Sequence, residues 1–267
     1  MAKPQQIELP GEIFIPILYE DRSVLAIDKP VGWMLAPDDW VHTGRNLSLA
    51  LQSSLNAGDF WARSRNLKFL RAVHRLDADT TGVLLLAKSP GAVSTFSRLF
   101  ELRTMKKIYW AIVHGAPRQP DWICRGKIGS DSQRAGRMKI DERYGKDAET
   151  HFRVLQSAGE KTLLEAQPVT GRTHQIRIHL EAAGLSILGD PIYGPKNSGL
   201  NPLALRAVEL GYVDPFLKKP VCIRAPRTAF LRDFGLAPES GAGADTSHFE
   251  RPDLAQSQNK GQPPQRQ

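Results

Sequence analysis

Nine consecutive residues, His74-Arg75-Leu76-Asp77-Ala78-Asp79-Thr80-Thr81-Gly82, lead directly into the apolar run Val83-Leu84-Leu85-Leu86-Ala87. Asp and Thr side chains bond nearby backbone amides in turns and glycine admits positive φ, so Asp79, Thr81 and Gly82 predict a loop held in one conformation. Asp77 then stands as a carboxylate fixed at the mouth of a buried strand. A second stretch, Gly171-Arg172-Thr173-His174-Gln175-Ile176-Arg177-Ile178-His179-Leu180, supplies cations and polar groups where a helix is expected to begin. Together the two stretches describe one acid surrounded by basic residues. A carboxylate beside negative charge, or stripped of water, drifts toward its protonated form unless a cation opposes it.

Positioning such groups takes a framework of strands. Val24-Leu25-Ala26-Ile27, bounded by Asp21-Arg22-Ser23 and Lys29-Pro30, reads as a buried strand between turns, and Val83 to Ala87 reads the same way. After Pro90, the residues Val93, Phe96, Leu99 and Phe100 recur at helical spacing opposite Ser94, Ser97, Arg98 and Glu101, which predicts an amphipathic helix with its aromatics in the core. Ile108 to Val113, Ala148 to Leu155 and Thr162 to Ala166 are further strands. In the middle one Thr150, Phe152 and Val154 alternate with His151 and Arg153. Around the second motif, Thr173 is the expected N-cap, Ile176, Leu180 and Ala183 the inward stripe, and Gly184 the residue just past the helix. Strands with few interleaved helices predict an α+β fold over a doubly wound parallel sheet.

The 267 residues, 41% of them hydrophobic, suffice for one large core or two small ones. Lys and Arg outnumber Asp and Glu by 36 to 28, a formal +8 that favours a polyanionic partner. Cys124 and Cys222 are too few for a disulfide framework or a paired zinc site and read as buried thiols in a reducing compartment. The start lacks the apolar core of a signal peptide, and no run reaches the ~18 apolar residues of a membrane span, so the expected location is the cytoplasm, away from membranes. From Leu236 onward the composition shifts to Gly, Ala, Pro, Ser and Gln, which predicts a disordered tail. That tail holds four acids against three bases, so the positive excess belongs to the body. The expected organisation is an N-terminal extension over 1–10, one domain over 11–235 and the tail over 236–267, without internal repeats.

The blocks HRLDxDTxG with LLLAK, Lys107-Ile108-Tyr109, GRTHQIRIHL and Gly189-Asp190-Pro191-Ile192-Tyr193-Gly194 occur in that order. They follow Leu18-Tyr19-Glu20-Asp21 and Asp28-Lys29-Pro30-Val31-Gly32. The series resembles the RluA-type RNA pseudouridine synthases over roughly residues 13 to 230. The resemblance implies a single catalytic domain on a long, bent, mixed or antiparallel sheet with flanking helices and a central cleft. It also implies isomerisation of uridine to pseudouridine in structured RNA, ribosomal or transfer, with no metal and no cofactor. Asp77 matches the family's catalytic aspartate, acting as nucleophile on the ribose or as base at C2′. Arg177 matches the arginine that pairs with it, and Tyr109 the tyrosine that lies against the target base. Arg75 corresponds to a residue that enters the RNA helix as the uridine flips out, or else clamps a phosphate. Lys107, Arg172, His174 and Gln175 complete the expected substrate-contacting set.

Other features are read within that resemblance. The aromatics of the helix after Pro90 are given no part in base stacking. His74, His174 and His179 lack metal-ligand spacing and are expected to make structural hydrogen bonds or RNA contacts. Arg134, Arg137, Lys139, Arg143 and Lys146 form either an RNA-contacting hairpin or a solvated loop, the former preferred. Ala36 and Arg206 stand where histidine is usual in the family, and are expected to alter which RNA is accepted; Thr81 replaces a more frequent serine. The pattern leaves no room for a separate N-terminal RNA-binding domain, so a monomer recognising RNA through its catalytic domain, or through a partner, is expected. A kinase is excluded because HRLD interrupts the HRD signature and no Gly-rich phosphate loop precedes it. A glycoside hydrolase needs two carboxylates, and only turn-forming Asp79 accompanies Asp77 in these blocks. The remaining alternative is a non-catalytic RNA-binding or RNA-folding protein, against which intact Asp77, Tyr109 and Arg177 count.

Overall fold

Short apolar runs broken by turn residues fold most of this chain into strands. The computed structural model describes residues 2–35, 45–195 and 202–237. Ala36 and the tail beyond Ala237 lie outside the described residues. The strands are β1 (Gln6–Leu9), β2 (Ile13–Glu20), β3 (Val24–Lys29), β4 (Arg71–Ala72), β5 (Thr81–Ala87), β6 (Lys106–His114), β7 (Asp121–Ser130), β8 (Met138–Ile140), β9 (Lys146–Ala158), β10 (Lys161–Pro168), β11 (Leu205–Val213) and β12 (Pro220–Arg224). The helices are α1 (Leu47–Ala57), α2 (Phe60–Arg63), α3 (Pro90–Glu101), α4 (Gln175–Ala182) and α5 (Thr228–Asp233). One twelve-stranded sheet runs in the order β1-β2-β3-β5-β11-β6-β10-β9-β7-β8, with β4 beside β5 and β12 beside β11. Its strands pair antiparallel except β5 with β11. The mixed sheet with few helices is the α+β architecture expected.

β5 shows why its sequence is an unbroken apolar run. Leu84 and Leu86 pack toward Leu47, Leu51 and Trp61 of α1 and α2, while Val83 and Leu85 pack toward Ala92 and Phe96 of α3. A strand covered on both faces has no polar side to show. α3 begins as its sequence predicts, with the Ser89 hydroxyl accepting from the Ala92 N–H and Pro90 in the first turn.

α4 departs from expectation in two respects. Its N-cap is His174, held at φ 56, and not Thr173; no side-chain bond caps the helix. Ala183 is exposed, while the six residues Gln175 to Leu180 are all buried. The cause is packing on two sides: Ile176 and Leu180 join the core of β6 and β10, whereas Ile178 packs with Ile128, Ala148 and Tyr193 under the β7–β9 ribbon. The predicted stop is present. Gly184, at φ 74, donates to Glu181 O, and Leu185 donates to Leu180 O, which closes the helix as a Schellman turn.

At the other end Leu236 is buried with Phe230 and Phe234, so the packed body runs one residue past its predicted boundary. Both cysteines are free and half-buried, less enclosed than expected. Among the described residues no helix is long and apolar enough to cross a membrane.

Candidate active site

The loop entering β5 and the loop leaving β10 converge over the middle of the sheet, where β5 meets β11. Direct pairing places Ala166, Tyr109, Ala207 and Gly82 in one row across β10, β6, β11 and β5. Tyr109 is thus flanked by the smallest side chains, which leaves room above the sheet. Gly82 is obligatory: at φ 108, a Cβ would run into the Ala207 backbone. The resulting cleft, of about 550 Å³, is lined by Arg75, Asp77, Lys107, Tyr109, Arg172 and His174 among others.

Asp77 keeps 18% of its side chain exposed, and its carboxylate accepts no hydrogen bond from the described residues. It does not cap its own loop. Arg177 Nη1 lies 3.7 Å and His174 Nε2 4.0 Å from Oδ2. The backbone beneath is fixed from a distance. The Ala78 carbonyl accepts from the Gly32 N–H at 2.9 Å and from Lys29 Nζ at 2.7 Å. Lys29 is wholly buried and gives its other protons to Pro30 O and Trp33 O, both at 2.9 Å. Burial lowers its pKa to about 8, although Asp79 and Asp77 oppose the fall. Sequence reading gave Lys29 no role. Its signal was a lysine at the end of a strand otherwise too apolar for one.

Arg177 keeps the expected ion pair with Asp77 and adds a second acid. Its main partner is Asp190, which accepts from Nε at 2.8 Å and Nη2 at 2.7 Å. Asp190 Oδ1 also accepts from the backbone N–H groups of Ile192 and Tyr193, both at 2.9 Å. The guanidinium lies over the Tyr193 ring, 5.1 Å from its centroid. Burial pulls the Arg177 pKa down, but Asp190, then Asp77, raise it on balance; burial pushes Asp190 up, but Arg177 brings it down on balance. Arg177 is therefore a fixed cation whose third nitrogen faces Asp77. Asp190 is a further acid of the matched blocks, overlooked at the sequence level because it sits inside a turn motif. Its side chain is sealed from solvent and fully paired, so it supplies no second glycosidase carboxylate.

The other predicted residues divide. Arg75 is exposed at the cleft, and Lys107 reaches it with Nζ on Thr170 O at 3.0 Å. Burial, with Arg103 nearby, lowers the Lys107 pKa to about 8. Tyr109 is pushed up by burial and by the Asp77 charge, so it remains a phenol. His174 bonds the Tyr193 hydroxyl through Nδ1 at 2.9 Å; burial, with Arg177 alongside, lowers its pKa despite Asp77, which makes it a neutral imidazole and not a cation. Arg172 is partly committed, with Nε donating to Asp147 O at 3.0 Å.

Gln175 is not free to contact substrate. It is 4% exposed, its oxygen accepts from Thr170 Oγ1 and the Arg172 N–H, and its amide donates to Glu149 O and Thr150 Oγ1. It holds the loop that carries Arg172 and His174.

The remaining histidines and basic residues differ in how far neighbouring groups already hold them. His74 accepts from the Leu85 N–H through Nε2, and burial drives its pKa to about 3; His179 bonds Thr150 Oγ1, and burial lowers it to about 4. Arg206 is spent on Asp28, Thr81 Oγ1 and Pro226 O and does not line the cleft, so the expected effect on RNA choice has no direct contact there to carry it. In the basic run Arg137 is tied to Glu181, Ile192 O and the Tyr193 ring, while Arg134, Lys139, Arg143 and Lys146 remain exposed.

Comparison with known proteins gives the family. Residues 23–182 match the family model described as RNA pseudouridylate synthase. The RNA pseudouridine synthase YlyB of Bacillus subtilis is 34% identical over 228 residues, covering 85% of this chain and 74% of that protein. The ribosomal large subunit pseudouridine synthase C of Vibrio cholerae is 35% identical, covering 80% of this chain and 66% of that one. Among solved structures, human RNA pseudouridylate synthase domain containing 1 superposes with a TM-score of 0.64 at 27% identity, covering 80% of this chain and 84% of that one. With the acid-bearing loop, the strand tyrosine and the buried arginine gathered in one cleft, and these matches spanning most of the packed body, the chain belongs to the RluA-type RNA pseudouridine synthase family.

Proposed function

We propose that this chain converts a uridine in a stem-loop of ribosomal or transfer RNA to pseudouridine, acting as a monomer in the cytoplasm. The observation that carries the reading is Asp77: a carboxylate with no hydrogen-bond donor among the described residues, beside a fixed guanidinium and a half-buried phenol in a basic cleft. The reaction is an isomerisation. The N1–C1′ bond breaks, the uracil turns, a C5–C1′ bond forms, and the proton lost from C5 is balanced by the proton gained at N1. Atoms and electrons balance without a co-reactant. Asp77 either attacks C1′ or takes the C2′ proton, and both routes need it ionised. Arg177 supplies the opposing charge at 3.7 Å while Asp190 keeps that cation in place. Tyr109 offers its ring to the base; as a phenol it relays the C5 proton and does not remove it as a resting phenolate.

Purified protein incubated with cellular RNA is expected to form pseudouridine without added metal or nucleotide. Asp77→Asn removes charge with little change of volume, so it abolishes turnover while RNA binding stays within a few fold. A non-catalytic RNA-binding protein on this fold predicts that wild type and variant are equally inert.

A further inference from the structure

The cleft does not end at the groups assigned to the target uridine. Beyond Tyr109 its wall continues over His74, Phe100, Arg103 and Lys107. Phe100 and His74 stack at 4.6 Å between ring centroids, with planes inclined by 22°. Both rings are half-buried, and His74 is locked as a neutral ring by the Leu85 N–H. Both rings line the cleft wall, and the stack holds each in place. Lys107 projects on the same side of β6 as Tyr109, two residues and about 7 Å away along the strand. Arg103 lines the same wall as Lys107, whose pKa is lowered by burial and further by the Arg103 charge.

Arg103 is also unusual in its backbone. α3 closes with the Arg103 N–H on Phe100 O and the Thr104 N–H on Leu99 O, which places Arg103 at the left-handed position that glycine normally fills. Its φ is 58, and its side chain is exposed. A helix end that needed only a stop would take glycine there; arginine costs backbone strain and adds a cation at the rim of the cleft. On the α3 side of that rim stands the carboxylate of Glu101, which disfavours a phosphate there and directs it toward Arg103 and Lys107.

We propose that His74, Phe100, Arg103 and Lys107 form a second subsite, which takes the nucleotide adjacent to the target uridine: its base against the Phe100–His74 surface, its phosphate between Arg103 and Lys107. The inference rests on the RNA reading above and deepens it. It reverses the expectation that the α3 aromatics have no contact with bases. Aromatic stacking tolerates any base, so the subsite holds the flanking nucleotide in position and leaves sequence choice to other contacts.

The test uses a hairpin RNA whose loop holds one uridine between adenosines, together with versions in which the nucleotide before or after that uridine is abasic. Phe100→Ala is expected to weaken binding of the intact hairpin about tenfold, within the range for loss of one stacked base. One abasic position should weaken wild type similarly and cost little more in Phe100→Ala. Arg103→Gly should keep or raise the melting temperature, because glycine relieves the left-handed strain, and should reduce the salt slope of binding by about 0.7, one single-strand phosphate contact. Phe100→Leu, which retains packing on α3, separates lost stacking from lost folding. Additive losses at both flanking positions, or an unchanged salt slope in Arg103→Gly, would overturn the subsite. These are binding measurements, so they decide it whether or not the wild type makes pseudouridine, and a binding-competent but inert wild type counts against the activity alone.

Discussion

Arg177→Met separates the two carboxylates that this arginine serves. Arg177 is 2% exposed and the Asp190 side chain is fully enclosed. Removing the guanidinium takes two charge-assisted hydrogen bonds from a buried acid, which typically costs about 3–5 kcal/mol. The backbone N–H groups of Ile192 and Tyr193 still bind Asp190, so the lower end, about 3 kcal/mol, is expected. The pH dependence has a definite sign. Asp190 is lowered in the folded protein, so the stability it contributes is present above the unfolded carboxylate value, about 3.9, and is lost as pH falls through its folded value. The gap between wild type and Arg177→Met should therefore be full at pH 7, narrow in acid, and close only below the folded value of Asp190. Adding Asp190→Asn removes the stranded charge while leaving an oxygen for the two N–H groups, and should restore most of the stability. It should not restore activity, because Asp77 still lacks its cation. Urea unfolding between pH 3 and 8, with single-turnover pseudouridine formation on the same preparations, measures both. A single variant as stable as wild type at pH 7, or an active double variant, would refute the arrangement of charges.

Lys29→Met should cost activity by loosening the Asp77 loop, and it carries its own pH signature. The Lys29 pKa is lowered to about 8 from 10.5, so wild type should gain stability relative to the variant, by up to roughly 3 kcal/mol, as pH rises from about 8 to about 10.5. A difference that stays flat across that window contradicts the buried ammonium. Removing residues 238–267 should leave melting temperature and turnover unchanged, whereas removal from Leu236 onward should cost about 1.5–3 kcal/mol, the value of one buried leucine. RNA affinity should fall steeply with salt, with a log–log slope implying on the order of four or more phosphate contacts. A slope near zero would contradict RNA binding through the basic cleft.

What the sequence revealed, and what it hid, follows from the range of the interactions. β3, β5 and α3 are local matters of apolar runs, caps and turns, so their residues announce them. The Asp77 loop and the Arg177 helix were legible for the same reason, since motif order carries over even when distances do not. The Asp190–Arg177 fork spans a turn and thirteen residues, and nothing in the local pattern says that the arginine serves the nearer acid more tightly. Lys29 reaches Ala78 across 49 residues, and that contact exists only once β3 and β5 pair. Gln175 and Arg206 carry the polar types of ligand contacts, yet they bury those groups against backbone and neighbouring side chains. His174 at a left-handed N-cap defeats propensity altogether, because tertiary contact with Tyr193 outweighs the preference for Thr173.

The most direct measurement of the central claim is a map of pseudouridines across total cellular RNA from cells holding the wild-type protein, Asp77→Asn, or neither. Signal is expected at one or a few stem-loop uridines with wild type, absent in the other two, while Asp77→Asn still binds the same RNA. A map unchanged among the three, or signal that persists with Asp77→Asn, would contradict it.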